Sequence, residues 1–128
     1  MEPQNNKTIL LADDEQFIVI AYKDGLARAG YNVVVAHDGA EAMDLLRASR
    51  PDLLLLDLIM PKMSGFEVLR AIQDESSLEG MPIIVLTNLS QDSDEAEVRS
   101  YNVTDFIVKA DITLNDLLAR IDQVLGQF

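Results

Sequence analysis

The stretch Leu53-Leu54-Leu55-Leu56-Asp57-Leu58-Ile59-Met60-Pro61 decides how this chain is read. Four apolar residues run directly into a carboxylate. A continuous apolar run of this length suits a strand covered on both faces, as in a parallel sheet. A buried, unpaired carboxylate is costly. Asp57 therefore sits at the sheet's edge in water or against a cation. In open α/β sheets the carboxyl ends of the strands are where ligands bind. Taken alone, an Asp after a strand reads equally well as a turn former. The other strand ends decide between the two.

On the N-terminal side, Thr8–Ala12 is a short apolar strand that ends at Asp13-Asp14-Glu15. Phe17, Ile18, Ala21 and Leu26 then recur near helical spacing, and Gly30 stops that helix as a residue past the C-cap. Gly25 inside it costs about 1 kcal/mol relative to Ala. Asn32–Ala36 is a second strand, followed by His37, the one histidine. Asp38 and Glu41 stand at capping-box spacing before a helix carrying Ala42, Leu45 and Leu46, which ends before Pro51.

On the C-terminal side, Ser64 and Glu67 form a second capping box, for a helix that turns Phe66, Val68, Leu69 and Ile72 inward. Residues 83–86 are a fourth buried strand, ending in Thr87. Residues 90–101 read as a weak acidic helix with few apolar anchors, closed by Asn102, a residue that tolerates the left-handed conformation. Residues 105–109 are a fifth strand ending in Lys109. Thr113 caps a last helix, where Leu114, Leu117, Leu118, Ile121, Val124 and Leu125 make a clean apolar stripe. The alternation is (βα) five times, which predicts a doubly wound α/β fold: a parallel sheet with helices on both faces.

Composition bounds the function. The 128 residues suit one domain, 48% hydrophobic, large enough for a real core. Residues 1–6 read as a disordered lead-in and 7–128 as the domain. No run reaches the roughly 18 apolar residues of a membrane helix, and residues 1–7 are polar, without the apolar core of a signal peptide. A cytoplasmic protein with no membrane association is expected. There is no cysteine, hence no thiolate chemistry. The net charge of −12 argues against direct nucleic-acid binding and favours metal cations and basic partner surfaces.

A parallel sheet gathers its carboxyl ends on one edge. The groups following the strands are Asp13-Asp14, His37, Asp57, Thr87 and Lys109. Three carboxylates, a hydroxyl and an ammonium converge, and a mere turn cap at Asp57 would not need the others. Clustered carboxylates repel and raise one another's proton affinity. A hard divalent cation such as Mg²⁺, or Mn²⁺ in its place, relieves this with oxygen ligands and retained waters. A metal held by carboxylates beside a free carboxylate, a lysine and a hydroxyl fits phosphoryl transfer to Asp57 as an aspartyl phosphate. Lys109 and Thr87 then neutralise and orient the phosphoryl oxygens.

These residues carry a family resemblance. Asp13-Asp14-Glu15, the stretch from Leu56 to Pro61 with Ser64-Gly65, Leu86-Thr87, and Asp105-Phe106-Ile107-Val108-Lys109 resemble the receiver domain of two-component response regulators, in particular the single-domain chemotaxis type. The resemblance covers about residues 7 to 127. It implies a flavodoxin-like sheet in the order 2-1-3-4-5. It makes Asp57 the phosphoacceptor. Mg²⁺ is then held by Asp14, Asp57 and the Ile59 backbone carbonyl, with Asp13 acting through a metal-bound water. Lys109 pairs with one phosphoryl oxygen. Thr87 bonds another and moves inward, and Phe106 is the switch aromatic that follows it. The implied partners are a sensor histidine kinase or phosphotransfer protein as donor, and a downstream protein on the face of the fourth helix, fifth strand and fifth helix. The weak fourth helix fits a mobile element of that face. The chain is expected to be a monomer or a phosphorylation-dependent dimer, and either a stand-alone receiver or part of a longer protein.

The sequence departs from the family pattern in places. Ala110 follows Lys109 where the family usually has a proline after a cis peptide. A cis bond without proline costs about 2.5–4 kcal/mol, which favours a trans turn. Asn88 follows Thr87 where a small residue is usual, and either crowds the mouth of the site or bonds the phosphoryl group. Ile59 and Leu89 are apolar where relatives often position water, so slow autodephosphorylation is expected. Phe106 has no hydroxyl, so its switch is one of packing alone.

Three other readings compete. A haloacid-dehalogenase-type phosphohydrolase needs a second acid two residues past its nucleophile, and Ile59 stands there. A flavodoxin-like cofactor binder wants a Ser/Thr/Gly-rich phosphate loop after the first strand, and Asp13-Asp14-Glu15 has the opposite charge. A metal-independent pseudo-receiver would lack an acid, the Thr or the Lys, and none is missing.

Overall fold

The computed structural model describes residues 6–89 and 91–126. Five strands, β1 (Thr8–Ala12), β2 (Asn32–Ala36), β3 (Leu53–Leu56), β4 (Ile83–Thr87) and β5 (Asp105–Val108), alternate with five helices. These are α1 (Gln16–Arg28), α2 (Gly39–Ala48), α3 (Gly65–Gln73), α4 (Asp92–Arg99) and α5 (Leu114–Leu125). All strand pairs are parallel, in the order β2-β1-β3-β4-β5. This is the flavodoxin-like sheet the resemblance implies. The expected lead-in lies outside the described residues apart from Asn6, as does Ser90 at the head of the acidic stretch.

The central strands explain their own composition. Every residue of β3 and β4 is buried, because helices cover both faces. The two edge strands are only partly buried. One core layer packs Ala42, Met43 and Leu46 of α2, Val68, Leu69 and Ile72 of α3, and Val98 of α4 against the sheet. The other packs Val19, Tyr22 and Leu26 of α1 with Leu117 and Ile121 of α5. A short 3-10 turn, Ser76–Leu78, which the sequence pattern did not announce, buries Leu78 between α3 and β4.

The caps fall where the sequence places them. The Glu41 amide donates to Asp38 Oδ1 at 2.8 Å. Ser64 and Glu67 make a full reciprocal box. Thr113 Oγ1 accepts from the Asp116 amide at 3.1 Å. Gly30 and Asn102 both take positive φ, 98° and 60°.

The inward face of α1 differs from expectation. Phe17 is 90% exposed and Ala21 is also exposed. Val19, Tyr22, Gly25 and Leu26 face the core instead. The helix begins at Gln16 under Glu15, and that start sets its rotation. Tyr22, an amphipathic side chain, supplies the inward position that a count of aliphatic residues assigns to Ala21. Gly25 has a packing reason: a Cβ there would come 2.6 Å from Leu114 Cδ2 of α5.

Candidate functional site

The ladder of the sheet runs one residue past β1 and β3. The Asp13 amide donates to Ala36 O and the Asp57 amide to Ala12 O, both at 3.0 Å. Backbone pairing thus fixes the two acids side by side at the carboxyl edge. Asp14 follows and is exposed. One carboxylate oxygen from each of Asp13, Asp14 and Asp57 can be chosen so that all three lie within 4.8 Å of one another.

The turn after Asp57 is built to hold it. Asp57 Oδ1 accepts from the Ile59 amide at 3.2 Å. Gly65 packs so tightly that a Cβ would fall 2.3 Å from the Asp57 carbonyl oxygen and 2.6 Å from Leu58 Cα. Only glycine fits there. Its amide donates back to Leu58 O at 3.0 Å. Lys62 takes a left-handed φ of 67°.

Lys109 lies just beyond β5, as the first residue of a 3-10 turn, Lys109–Asp111, rather than the last residue of the strand. Its ammonium reaches Asp13 Oδ2 at 2.7 Å, Asp57 Oδ2 at 2.9 Å and Glu15 Oε1 at 3.2 Å. All three N–H donors of a lysine therefore have an acceptor. Burial pushes the Asp13 carboxyl above its ordinary value, against the lowering pull of Lys109 and of the Glu15 amide. Burial also works against the Lys109 charge. The hydrogen bonds and charges of Asp13 and Asp57 outweigh it and hold that pKa above the usual lysine range.

Thr87 is fully buried at the end of β4. Its Oγ1 accepts from the Leu89 amide at 3.3 Å, which leaves the hydroxyl proton to donate elsewhere. Phe106 is half-buried and packs on the α2–α3–α4 core layer. Ile59 is 54% exposed, and Leu89 is half-buried against that same layer. Asn88 is exposed, and its Oδ1 accepts from the Ala110 amide at 3.2 Å. The Lys109–Ala110 peptide is trans, as every described peptide is. His37 is exposed and engages Glu41 Oε1 through its backbone amide at 2.6 Å.

The structure thus brings together Asp13, Asp14, Asp57 and Lys109. It places Thr87 on the neighbouring strand and leaves His37 at the rim. Sequence reasoning assigned Glu15 no role of its own. The signal available was its place in the acidic run after β1, but the ion pair that gives it meaning spans 94 residues.

The chain matches the family model of the response regulator receiver domain over residues 9–122, and it belongs to that family. It is 30% identical over 120 residues to the polar-differentiation response regulator DivK of Brucella anthropi, covering 94% of this chain and 97% of that protein. It is 36% identical over 117 residues to response regulator MprA of Mycobacterium avium, covering 91% of this chain and 50% of that one. The chain therefore spans about half the length of the mycobacterial relatives it matches. Among solved structures, the chemotaxis response regulator CheY4 of Vibrio cholerae superposes with a TM-score of 0.86 at 30% identity, covering 94% of this chain and 100% of that one. A CheY-like receiver domain protein from Methanospirillum hungatei superposes at 0.87 with 26% identity, covering 96% of each chain. The chain is a receiver domain of the two-component response regulator family. No described helix is long and apolar enough to cross a membrane.

Proposed function

We propose that this domain accepts a phosphoryl group on Asp57 from a histidine kinase, a phosphotransfer protein or a small phosphodonor, and is not otherwise an enzyme. The observation that carries the reading is the buried set Asp57, Lys109 and Asp13 beside the exposed Asp14 at one sheet edge. The donor set is all hard oxygen, and it suits Mg²⁺ or Mn²⁺. Asp14 and Asp57, with the Ile59 carbonyl, are the proposed ligands, and Asp13 is proposed to act through a bound water. When bound, the cation supplies positive charge against the carboxylates and the incoming phosphoryl oxygens.

In the transfer, an Asp57 carboxylate oxygen attacks phosphorus. The bond from phosphorus to the donor breaks, and the donor leaves with the electron pair. The product is a mixed anhydride on Asp57. Lys109 turns from Asp57 toward a phosphoryl oxygen, and the Thr87 hydroxyl donates to another. That demand draws Thr87 inward and lets Phe106 follow by packing alone. The α4–β5–α5 face changes as a pre-existing equilibrium shifts, and a downstream protein reads it. Ile59 and Leu89 offer no hydrogen bond to a hydrolytic water, so the phosphoryl group is long-lived.

The test is incubation with Mg²⁺ and acetyl phosphate, or with beryllofluoride, followed by intact mass and NMR. The wild-type protein gains one phosphoryl group, and Asp57→Asn gains none. Equal labelling of both proteins defeats the assignment of Asp57. No labelling or beryllofluoride response in either favours a metal-independent interaction module.

A further inference from the structure

Asn88 and Ala110, the two departures that flank the reactive edge, meet in one hydrogen bond: the Ala110 amide donates to Asn88 Oδ1 at 3.2 Å. Asn88 directly follows Thr87, and Ala110 directly follows Lys109. Thr87 pairs with Val108 in the β4–β5 register, and this is the last rung of the ladder. Beyond it the two loops would leave the sheet independently. The side-chain bond adds one further link across them.

The bond needs both departures. A proline at 110 has no N–H to give, and an alanine or glycine at 88 has no acceptor to offer. With its oxygen engaged by the Ala110 amide, the Asn88 side chain is held to the Lys109 turn. It ties the residue after the hydroxyl to the residue after the ammonium.

We infer that Asn88 is a positioning residue that couples the Thr87 loop to the Lys109 turn, so that the two groups meant for the phosphoryl oxygens are set as one unit. This inference rests on the phosphoacceptor reading of Asp57. Thr87 and Lys109 approach from different strands, and their relative placement decides how well both donors meet one phosphoryl group. Preorganised donors accelerate a reaction, and donors that must be gathered during the reaction do so less. The Asn88 side-chain oxygen bonds the Ala110 amide, not the ammonium or the hydroxyl. Its effect passes through the backbone of both loops.

The experiment has two arms on the intact chain. Amide hydrogen exchange at Ala110 is measured in the wild type, Asn88→Ala and Asn88→Asp. Exchange is expected to speed up at least several-fold in Asn88→Ala and to stay near wild type in Asn88→Asp, which keeps an acceptor oxygen. Phosphorylation by acetyl phosphate with Mg²⁺ is measured against donor concentration. Asn88→Ala is expected to lower the limiting rate about three- to ten-fold, the size of one modest hydrogen bond, with the half-saturating donor concentration unchanged. Unchanged Ala110 exchange in Asn88→Ala overturns the tether. An unchanged limiting rate, or a raised half-saturating concentration alone, overturns the positioning role. A wild-type protein that takes no phosphoryl group defeats the Asp57 reading instead, and the exchange arm still decides the tether.

Discussion

Lys109 Nζ stands 2.9 Å from Asp57 Oδ2 although 52 residues separate them, and each side chain is 3% exposed. The contact sits at the centre of the buried ion-pair cluster at the carboxyl edge of the sheet. Taking away the ammonium leaves Asp13 and Asp57 buried without their cation, and breaking a buried pair from one side typically costs about 3–5 kcal/mol. Lys109→Met is expected to lose stability on that scale in urea unfolding without divalent cation. Asp57→Asn removes one repelling charge and is expected to unfold at an equal or higher urea concentration. A Lys109→Met variant as stable as wild type contradicts the pairing.

The same cluster predicts a metal response. Mg²⁺ at tenfold above its dissociation constant should stabilise the fold by about 1.4 kcal/mol. Asp14→Ala should remove most of that gain while leaving the metal-free stability nearly unchanged, because Asp14 is exposed. Thermal melts with and without Mg²⁺ measure both.

Glu15 is the outermost acceptor of Lys109, at 3.2 Å, and its side chain is 52% exposed. Exposed ion pairs are worth about 0.2–1 kcal/mol. Glu15→Ala, which leaves no side-chain acceptor, should release one ammonium proton for an incoming phosphoryl oxygen and speed labelling by acetyl phosphate, by about five-fold at most. Slower labelling would mean that Glu15 helps to place Lys109 rather than competing for it.

Tyr31 is buried, and its hydroxyl donates to Asp122. Burial first, then that hydrogen bond and the Asp122 charge, raise the phenol's pKa well above the ordinary value. The folded chain therefore keeps a proton that the unfolded chain loses near pH 10. The contribution is complete below that value and is lost as the pH rises through and beyond it. Stability of the wild type should fall above about pH 10 more steeply than that of Tyr31→Phe, as followed by urea midpoints from pH 8 to 11.

Gly65 and Gly80 separate two reasons for glycine. A Cβ on Gly65 meets backbone of Asp57 and Leu58, whereas one on Gly80 meets nothing within 4 Å, and only the φ of +78° opposes it. Gly80→Ala should cost about 1–2 kcal/mol. Gly65→Ala should cost about 3 kcal/mol or more and shift the amide resonances of Asp57 and Ile59, which a two-dimensional NMR spectrum reads directly.

Much of this molecule was legible in the chain itself. The helical spacing of apolar residues, the caps at Asp38, Ser64 and Thr113, and the continuous Leu53–Leu56 run are local properties, and local chemistry fixes them. They determined five βα units and a parallel sheet. Strand-end residues then had to share one edge, which brought Asp13, Asp14, Asp57, Thr87 and Lys109 into view without coordinates. Tertiary structure decided what depends on distance and rotation. It turned Phe17 outward and Tyr22 inward, since a helix's facing is set by its start and by the elements it meets. It gave Lys109 three acceptors, one of them Glu15. It joined Asn88 to Ala110, because a side chain's partner across 22 residues exists only once β4 and β5 lie side by side.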